Sequence, residues 1–454
     1  MLSPITKQYQ IFDAWSDEPW INEGAAVRVS LVSFGNCSGR SFLNGTNVAR
    51  INSDLSASNV GVLNIDLTTA VVLTESQKAA FSGFKMNGSF DVPEKIAQDW
   101  LAMPNPHGEA NSEVLHAYAN ARDITTRSRN QWVIYFRNLS EVDASLYEKP
   151  FEWVLRHVKT ERQTKREENL RQKWWIHERP RPELRLAISG LPRILATPMV
   201  SKFRLFVWLP TIRIPENAAI VIARSDDTTF GILHSRFHEL WSLQMCTWMG
   251  KGNDPRYTPT TCFETFPFPA GLTPQDTASQ KTETLPDGSV IPEFPTNQAN
   301  QAMVGLVSGA TSKRPKAVER PLPTPSALGQ ATANNQRATA ERIAKAAKHL
   351  NDLRENWLNP PEWTDRIPEV TPLGMTSSPY PDRTLAKPGH EKDLAERTLT
   401  KLYNQRPAWL DSAQKALDAA VAAAYGWADY TAAMPDEEIL KRLLALNLER
   451  AANQ

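Results

Sequence analysis

Cysteine is scarce. The 454 residues contain three, Cys37, Cys246 and Cys262. They are scattered, odd in number and form no C-x-x-C pair, so they support neither a zinc ribbon nor a disulfide framework. Such usage suits a reducing cytoplasm. Excess charge is also lacking, with 51 Lys+Arg against 50 Asp+Glu. Bulk charge therefore selects no polyanionic partner, and any nucleic-acid surface has to be a local patch. No apolar run approaches the roughly 20 residues that a membrane helix needs. The most apolar helical stretch, ALDAAVAAAYGW, is short and Ala-rich, so no membrane partner is expected. The start, MLSPITKQYQIF, has no charged segment followed by an apolar run, so no signal peptide is read. No internal repeat is evident. What is present is a chain 41% hydrophobic and 22% charged. That composition is globular, and the length suffices for two or three domains with real cores.

Along the chain four textures follow one another. The first segment reads as strands: in AAVRVSLVSFG, Val27, Val29 and Leu31 alternate with Arg28, Ser30 and Val32. A two-stranded hairpin is not stable alone in water, so its partner strands are expected upstream of Met1, in a part absent from this chain. From about 89 to 269, strand-like QWVIYF and FRLFVWLP mix with helical stretches. One long helix is expected from Leu146 through Trp175. A strand, a turn at Asp226-Asp227 and a helix ending near Gly250 are expected after it. Residues 270–335 are rich in Pro, Thr, Ser and Gln and read as a linker or long loop. The last segment reads as a helical bundle, with Ile343, Ala347, Leu350 and Leu353 on one face. Pro435 followed by Asp436, Glu437 and Glu438 suits the positive end of a helix dipole.

Several short motifs bear on chemistry. LRENWLNPPEW, Leu353 to Trp363, contains an Asn-Pro-Pro of the kind found in amino-methyltransferases. Glu362 stands where an aromatic is needed to stack on a flipped base. The motif also follows an amphipathic helix rather than a core strand, so it reads as a helix stop. FGNCSG, Phe34 to Gly39, imitates a glycine-rich cofactor loop with the wrong spacing. His234 and His238 have helical metal-ligand spacing without a general-base Glu or an obvious third ligand, so no metal site is assigned. Fourteen tryptophans are either core or base-stacking surface, and their number alone does not choose. The stretch from Arg156 to Arg185 carries ten Lys/Arg against five Glu. It is read either as a phosphate-facing surface or as a solvated helix with internal ion pairs.

The sharpest functional candidate is GKGNDPRYTPTT, Gly250 to Thr261. Its glycines permit close backbone approach. Lys251 and Arg256 are suited to phosphates, while Asn253, Asp254, Tyr257, Thr258 and Thr260 are suited to base edges or backbone. Lys202 and Arg204 flank the SKFRLF strand, and Arg236 sits on the same helical turn as His234.

Longer stretches resemble the C-terminal half of MmeI-type, or type IIL, restriction-modification proteins. They are AWSDEPWINEGAAVRVSLVSFG, ATPMVSKFRLFVWLP, FGILHSRFHELWSLQMCTWMGKGNDPRYTPTTCFETFPFP, LNDLRENWLNPPEW, LTKLYNQRPAWLDSAQKALDAAVAAAYGW and DEEILKRLLALNLERA. The resemblance implies an α+β chain. Residues 1–88 would supply terminal strands of a class I methyltransferase sheet, and 89–269 a mixed α/β target-recognition domain. Residues 270–335 would be the linker, and 336–454 a small C-terminal helical domain. It also implies recognition of double-stranded DNA within an adenine-specific, S-adenosylmethionine-dependent methyltransferase. NARDITTRSRNQW resembles the start of such recognition domains, with Ala121 where the family has glycine. A glycine at positive φ there would leave Ala121 strained. The implied DNA contacts are Lys202, Arg204, Arg236, Lys251, Asn253, Asp254, Arg256, Tyr257, Thr258 and Thr260. No catalytic, cofactor or metal residue is assigned, because the family's glycine-rich loop and Asn-Pro-Pro-aromatic loop do not occur between Met1 and Gln454. A catalytic half would then be supplied upstream or by a separate polypeptide that this specificity subunit serves. The alternative is an inactive remnant of a split gene.

Overall fold

The computed structural model describes residues 2–454 except 7, 23–24, 37–38, 54, 56, 59–65, 250–253 and 295–326. The fold is mixed α+β, with small sheets, two substantial apolar cores and a lightly buried N-terminal sheet.

The alternation around Val29 and Leu31 becomes a long antiparallel pair, Gln10–Asn22 with Ala25–Gly35. Its register shifts twice, and such bulges add local twist. Short strands at Ser41–Leu43, Thr46–Val48, Arg50–Ile51 and Ala57–Ser58 complete the sheet. The strands that join this hairpin thus come from just downstream. Burial is thin, with Ile11, Ala14, Val48 and Ile51 inside, while Trp15, Trp20, Leu31 and Phe34 stay 42–52% exposed.

The larger core is built around the strands Val207–Pro210, Arg193–Pro198, Ala219–Ile222 and Ala80–Ser82, in that order across the sheet. Ala219–Ile222 is buried at every position, as a central strand without polar alternation should be. Asp226 then starts a helix, its carboxylate accepting from the Thr229 amide at 2.7 Å. The expected single helix divides. Asp227–His234 and Arg236–Met245 are separated by Ser235 in extended conformation (ψ 159°), and a strand, Thr247–Met249, follows. Gly231 lies against the long helix Ala327–Leu358, where an added Cβ would stand 2.6 Å from Ile343 Cγ2. Only glycine allows that approach. Ile343, Ala347 and Leu350 are buried on the face that their spacing implies, together with Leu417 of Ala408–Ala424 and Leu443 of Asp436–Ala452.

Within 270–335, residues 270–294 are folded. Thr282–Thr284 pairs with Val290–Pro292, and Ile291 is buried with Leu285 and Ala344. Composition alone missed this hairpin because only a few of its side chains, Leu285 and Ile291 among them, are apolar and buried.

The second core covers the sheet Ile214–Pro215, Leu115–Ala119, Gln131–Ile134 and Asp91–Val92. The long helix expected from Leu146 through Trp175 is not continuous. Glu148–Val154 passes through a π-helical turn, Leu155–Lys159, into Thr160–Gln163, and the chain then folds back. The buried Arg162 guanidinium explains the reversal. It donates to the carbonyls of Met86 (2.6 Å), Asn87 (3.0 Å), Lys173 (3.1 Å) and Ile176. Trp174 is buried in this core, and Trp175 Nε1 donates to the Leu139 carbonyl at 3.0 Å. Neither ring forms a stacking surface for bases. Ala121 is unstrained, because it opens the short helix Ala121–Thr125 behind an Asn120 capping box.

Candidate nucleic-acid interface

The sequence candidates fall into three groups. The first is a β-ribbon. Thr247–Met249 pairs with Asp254–Arg256, and residues 250–253 lie between the two strands. Lys251 and Asn253 lie outside the described residues. Asp254, Arg256 and Thr260 are exposed, and Thr258 is half-buried. An isolated bridge between Val200 and Arg256 ties the ribbon to the segment carrying Lys202. Tyr257 N–H donates to the Met199 carbonyl at 2.7 Å in the same place. Lys202 is exposed and its Nζ donates to Asn404 Oδ1 at 2.6 Å. Asp254, Arg256 and Lys202 are therefore brought into one neighbourhood by backbone pairing. A two-stranded ribbon is one of the shapes that enters a DNA groove.

The second group lies inside the protein, which corrects the expectation that it meets DNA directly. Arg204 is 2% exposed, and its Nη1 donates to Thr197 Oγ1 (3.0 Å) and to the Pro198 carbonyl (2.7 Å). Its guanidinium lies 4.7 Å from the centre of the Tyr257 ring. Tyr257 is 1% exposed, and its hydroxyl is 2.9 Å from His238 Nε2. Burial lowers the Arg204 pKa and pushes that of Tyr257 well up. These two side chains brace the base of the ribbon. The SKFRLF and DPRYTP patterns gave no sign of it, because strand alternation does not say which face a neighbouring hairpin covers.

Arg236 forms the third group. It bonds Asp436 and the carbonyls of Ala432 (3.1 Å) and Met434 (2.8 Å), while its backbone N–H donates to Asp418 Oδ1 at 2.9 Å. Its donors hold the start of the last helix and leave little for a phosphate. The two histidines one turn apart on either side of it have separate tasks. His234 Nδ1 accepts from the Phe206 amide (3.2 Å), and Nε2 lies 2.6 Å from the Tyr403 hydroxyl. Burial, and then the Arg354 cation, hold His234 well below its ordinary pKa. Burial and Arg204 bring His238 down to about 3.

Asn359 sits just past the end of Ala327–Leu358, its N–H still bonded to the Glu355 carbonyl at 2.7 Å. Its Oδ1 accepts from Arg127 Nε at 2.8 Å. The remaining Arg127 donors go to the carbonyls of Leu358, Leu394 (2.6 Å) and Arg397 (3.0 Å). Arg127 thus neutralises the carbonyl end of the long helix, and Asn359 belongs to that cap. Nor do the residues after Gly35 make a cofactor cradle. The chain goes on to another strand at Ser41, so no helix N-terminus faces a ligand there. No helix among the described residues is long and apolar enough to cross a membrane.

Residues 102–270 match the family model of the MmeI target recognition domain. Among solved structures, the chain is similar to the type IIL restriction-modification enzyme MmeI in complex with DNA. The TM-score is 0.57 at 14% identity, covering 98% of this chain and 47% of that one. The chain therefore spans about half the length of that enzyme. The comparison with curated proteins gave no match. Residues 102–270 thus resemble a target recognition domain of the MmeI type, within a fold similar to that of a type IIL restriction-modification enzyme.

Proposed function

We propose that this chain reads a DNA sequence on behalf of an adenine-specific methyltransferase of a restriction-modification system, working with the DNA in the cytoplasm. The match of 102–270 to a target recognition domain carries this reading. The exposed ribbon supports it, with Arg256 and Lys202 toward the phosphates and Asp254, Thr258 and Thr260 toward base edges. Lys251 and Asn253, between the ribbon strands, belong to the same reading. In the division of the chain that we favour, 1–88 belongs to the methyltransferase sheet, 89–269 recognises the target and 336–454 buttresses it. Methyl transfer to an extruded adenine would need a cofactor cradle and a base-clasping loop. Those parts would come from a catalytic methyltransferase half, joined to this chain or separate from it.

The test is titration of fluorescent duplexes carrying randomised sequence, followed by selection and sequencing of the bound fraction. Enrichment of a short motif is expected, and an unenriched pool would overturn the reading. Incubation of the chain alone with labelled S-adenosylmethionine and duplex should incorporate no methyl group. Robust incorporation would show a cradle within these residues.

A further inference from the structure

Between Pro210 and Ala219 the chain makes a short excursion from one main sheet to the other and back. It leaves the larger core's sheet at Pro210, enters the second core's sheet at Ile214–Pro215, and returns at Ala219. Arg213 lies in that excursion. It is 7% exposed, yet its side chain has no hydrogen bond or ion pair among the described residues. The other deeply buried arginines contrast with it. Arg162, Arg204, Arg224 and Arg354 each donate to carbonyl or hydroxyl oxygens. Asp123 and Glu369 lie near enough to favour its charged form, but neither hydrogen-bonds it, and a buried guanidinium with unused donors is costly.

Arg213 lines a half-open cleft of about 330 Å³ between the recognition domain and the C-terminal segment. Ile124, Leu209 and Leu358 contribute its apolar wall, and Asn130, Ser128 and Arg366 its polar side. The carboxylates nearest Arg213 spend their hydrogen bonds elsewhere. The Asp123 carboxylate accepts from Asn120 N (2.9 Å), Arg129 N (3.0 Å) and Arg129 Nε (3.2 Å). Glu369 accepts from Gln98 (2.8 Å) and lies 3.6 Å from Arg383 Nε. Arg127, on the same wall, is committed to the helix end. Glu355 and Asp382 are on the exposed rim, as is Arg366, which makes no ion pair among the described residues. The unspent deep group is a cation. Its fork of N–H donors matches the oxygens of a phosphate.

We propose that this cleft is an oxyanion site that takes a backbone phosphate of the bound duplex, with Arg213 as its donor. The proposal rests on the DNA-reading function above and adds a seat for the backbone away from the ribbon. In the free protein Asp123 and Glu369 favour the cation, and the phosphate would supply the hydrogen-bond acceptor that it lacks. Arg366 on the rim guides the phosphate inward, and the apolar wall excludes water around the contact.

The test uses the full chain and random-sequence duplexes, with dissociation constants measured over a range of salt. Each phosphate contact contributes about 0.9 to the slope of log K against log salt. Arg213→Met should lower the slope by about that amount and weaken binding roughly tenfold at low salt. Arg213→Lys should keep most of the slope. The melting temperature of the free Arg213→Met protein should hold or rise, because an unpaired buried charge has been removed. Unchanged slope and affinity in Arg213→Met overturns the proposal, as does a drop in melting temperature with DNA binding unaltered, which marks a structural arginine. If the wild-type chain binds no duplex, the DNA-reading function fails first. Inorganic phosphate then decides the site. A rise in melting temperature for wild type but not for Arg213→Met keeps an oxyanion site for free phosphate, and no rise in either removes it.

Discussion

The larger core draws its side chains from Leu67 through Leu443, while the second draws almost all of its from Phe84 through Trp174, adding Ile214 and Tyr380. One is woven from distant parts of the chain and the other is nearly local. The difference places a mechanical constraint on the molecule. The ribbon that bears Asp254 and Arg256 is braced from the larger core, so its orientation depends on helices more than a hundred residues downstream. The second core is joined to it partly through the excursion at Arg213, and Arg127 ties it to the end of the long helix.

The strongest way to break this comparison is Leu417→Ala. A fully buried leucine replaced by alanine costs about 2–5 kcal/mol. If the larger core is one body, amide exchange should accelerate together in 219–245 and 408–424, with 115–134 little changed. Exchange confined to 408–424 would mean that the C-terminal helices fold apart from the middle.

Arg127→Met comes next. It leaves the carbonyls of Leu358, Leu394 and Arg397 without their charged donor and should cost about 3 kcal/mol. Chemical denaturation followed by tryptophan fluorescence measures this, and a cost below about 0.5 kcal/mol would show that the tie is ornamental.

Acid should separate the two cores by a smaller margin. In the second core, burial brings His116 and His177 down to about 3, and Glu178 is held below its usual range by Lys85 and Asn87 against a desolvation that opposes them. A histidine whose folded pKa is depressed binds its proton only when unfolded. Its contribution is therefore complete above the ordinary value near 6.5 and falls as pH drops toward 3, by up to about 1.4 kcal/mol per pH unit for each ring. In the larger core His234 and His238 act the same way, but burial raises Asp226, Asp227, Glu239 and Asp418, the last to about 6. Those carboxyls take protons more readily when folded and oppose the loss. Between pH 7 and 5 the second core should lose exchange protection first, and loss in the larger core first would reverse the assignment.

The smallest effect is expected in the N-terminal sheet. Trp20 is 52% exposed, so Trp20→Ser should change stability by no more than about 0.5 kcal/mol while raising solubility. A larger loss would reveal packing on that face.

Much of the fold was legible because it repeats a short period. The buried face of Ile343, Ala347 and Leu350, the hairpin around Leu31 and the capped start at Asp226 each depend on residues within a few positions of one another. The long helix through Arg162 was not legible, since carbonyls from 86 and 87 decide where it ends. The 282–292 hairpin was hidden in a polar composition. The candidate interface was legible in part. Asp254, Arg256 and Lys202 are exposed and close in the fold, but Arg204 and Tyr257 carry the same DNA-suited chemistry and face inward. Arg213 gave no signal, because a lone arginine between two strands has no pattern.

By itself, the sequence determined local geometry: helix faces, caps, turns and the stop at Asn359, where a proline follows a completed helix. Tertiary structure alone decided which cations are available. Arg127, Arg162, Arg204, Arg213 and Arg236 are chemically identical groups, and only the oxygens that distant segments bring to each one distinguish a strut from a site.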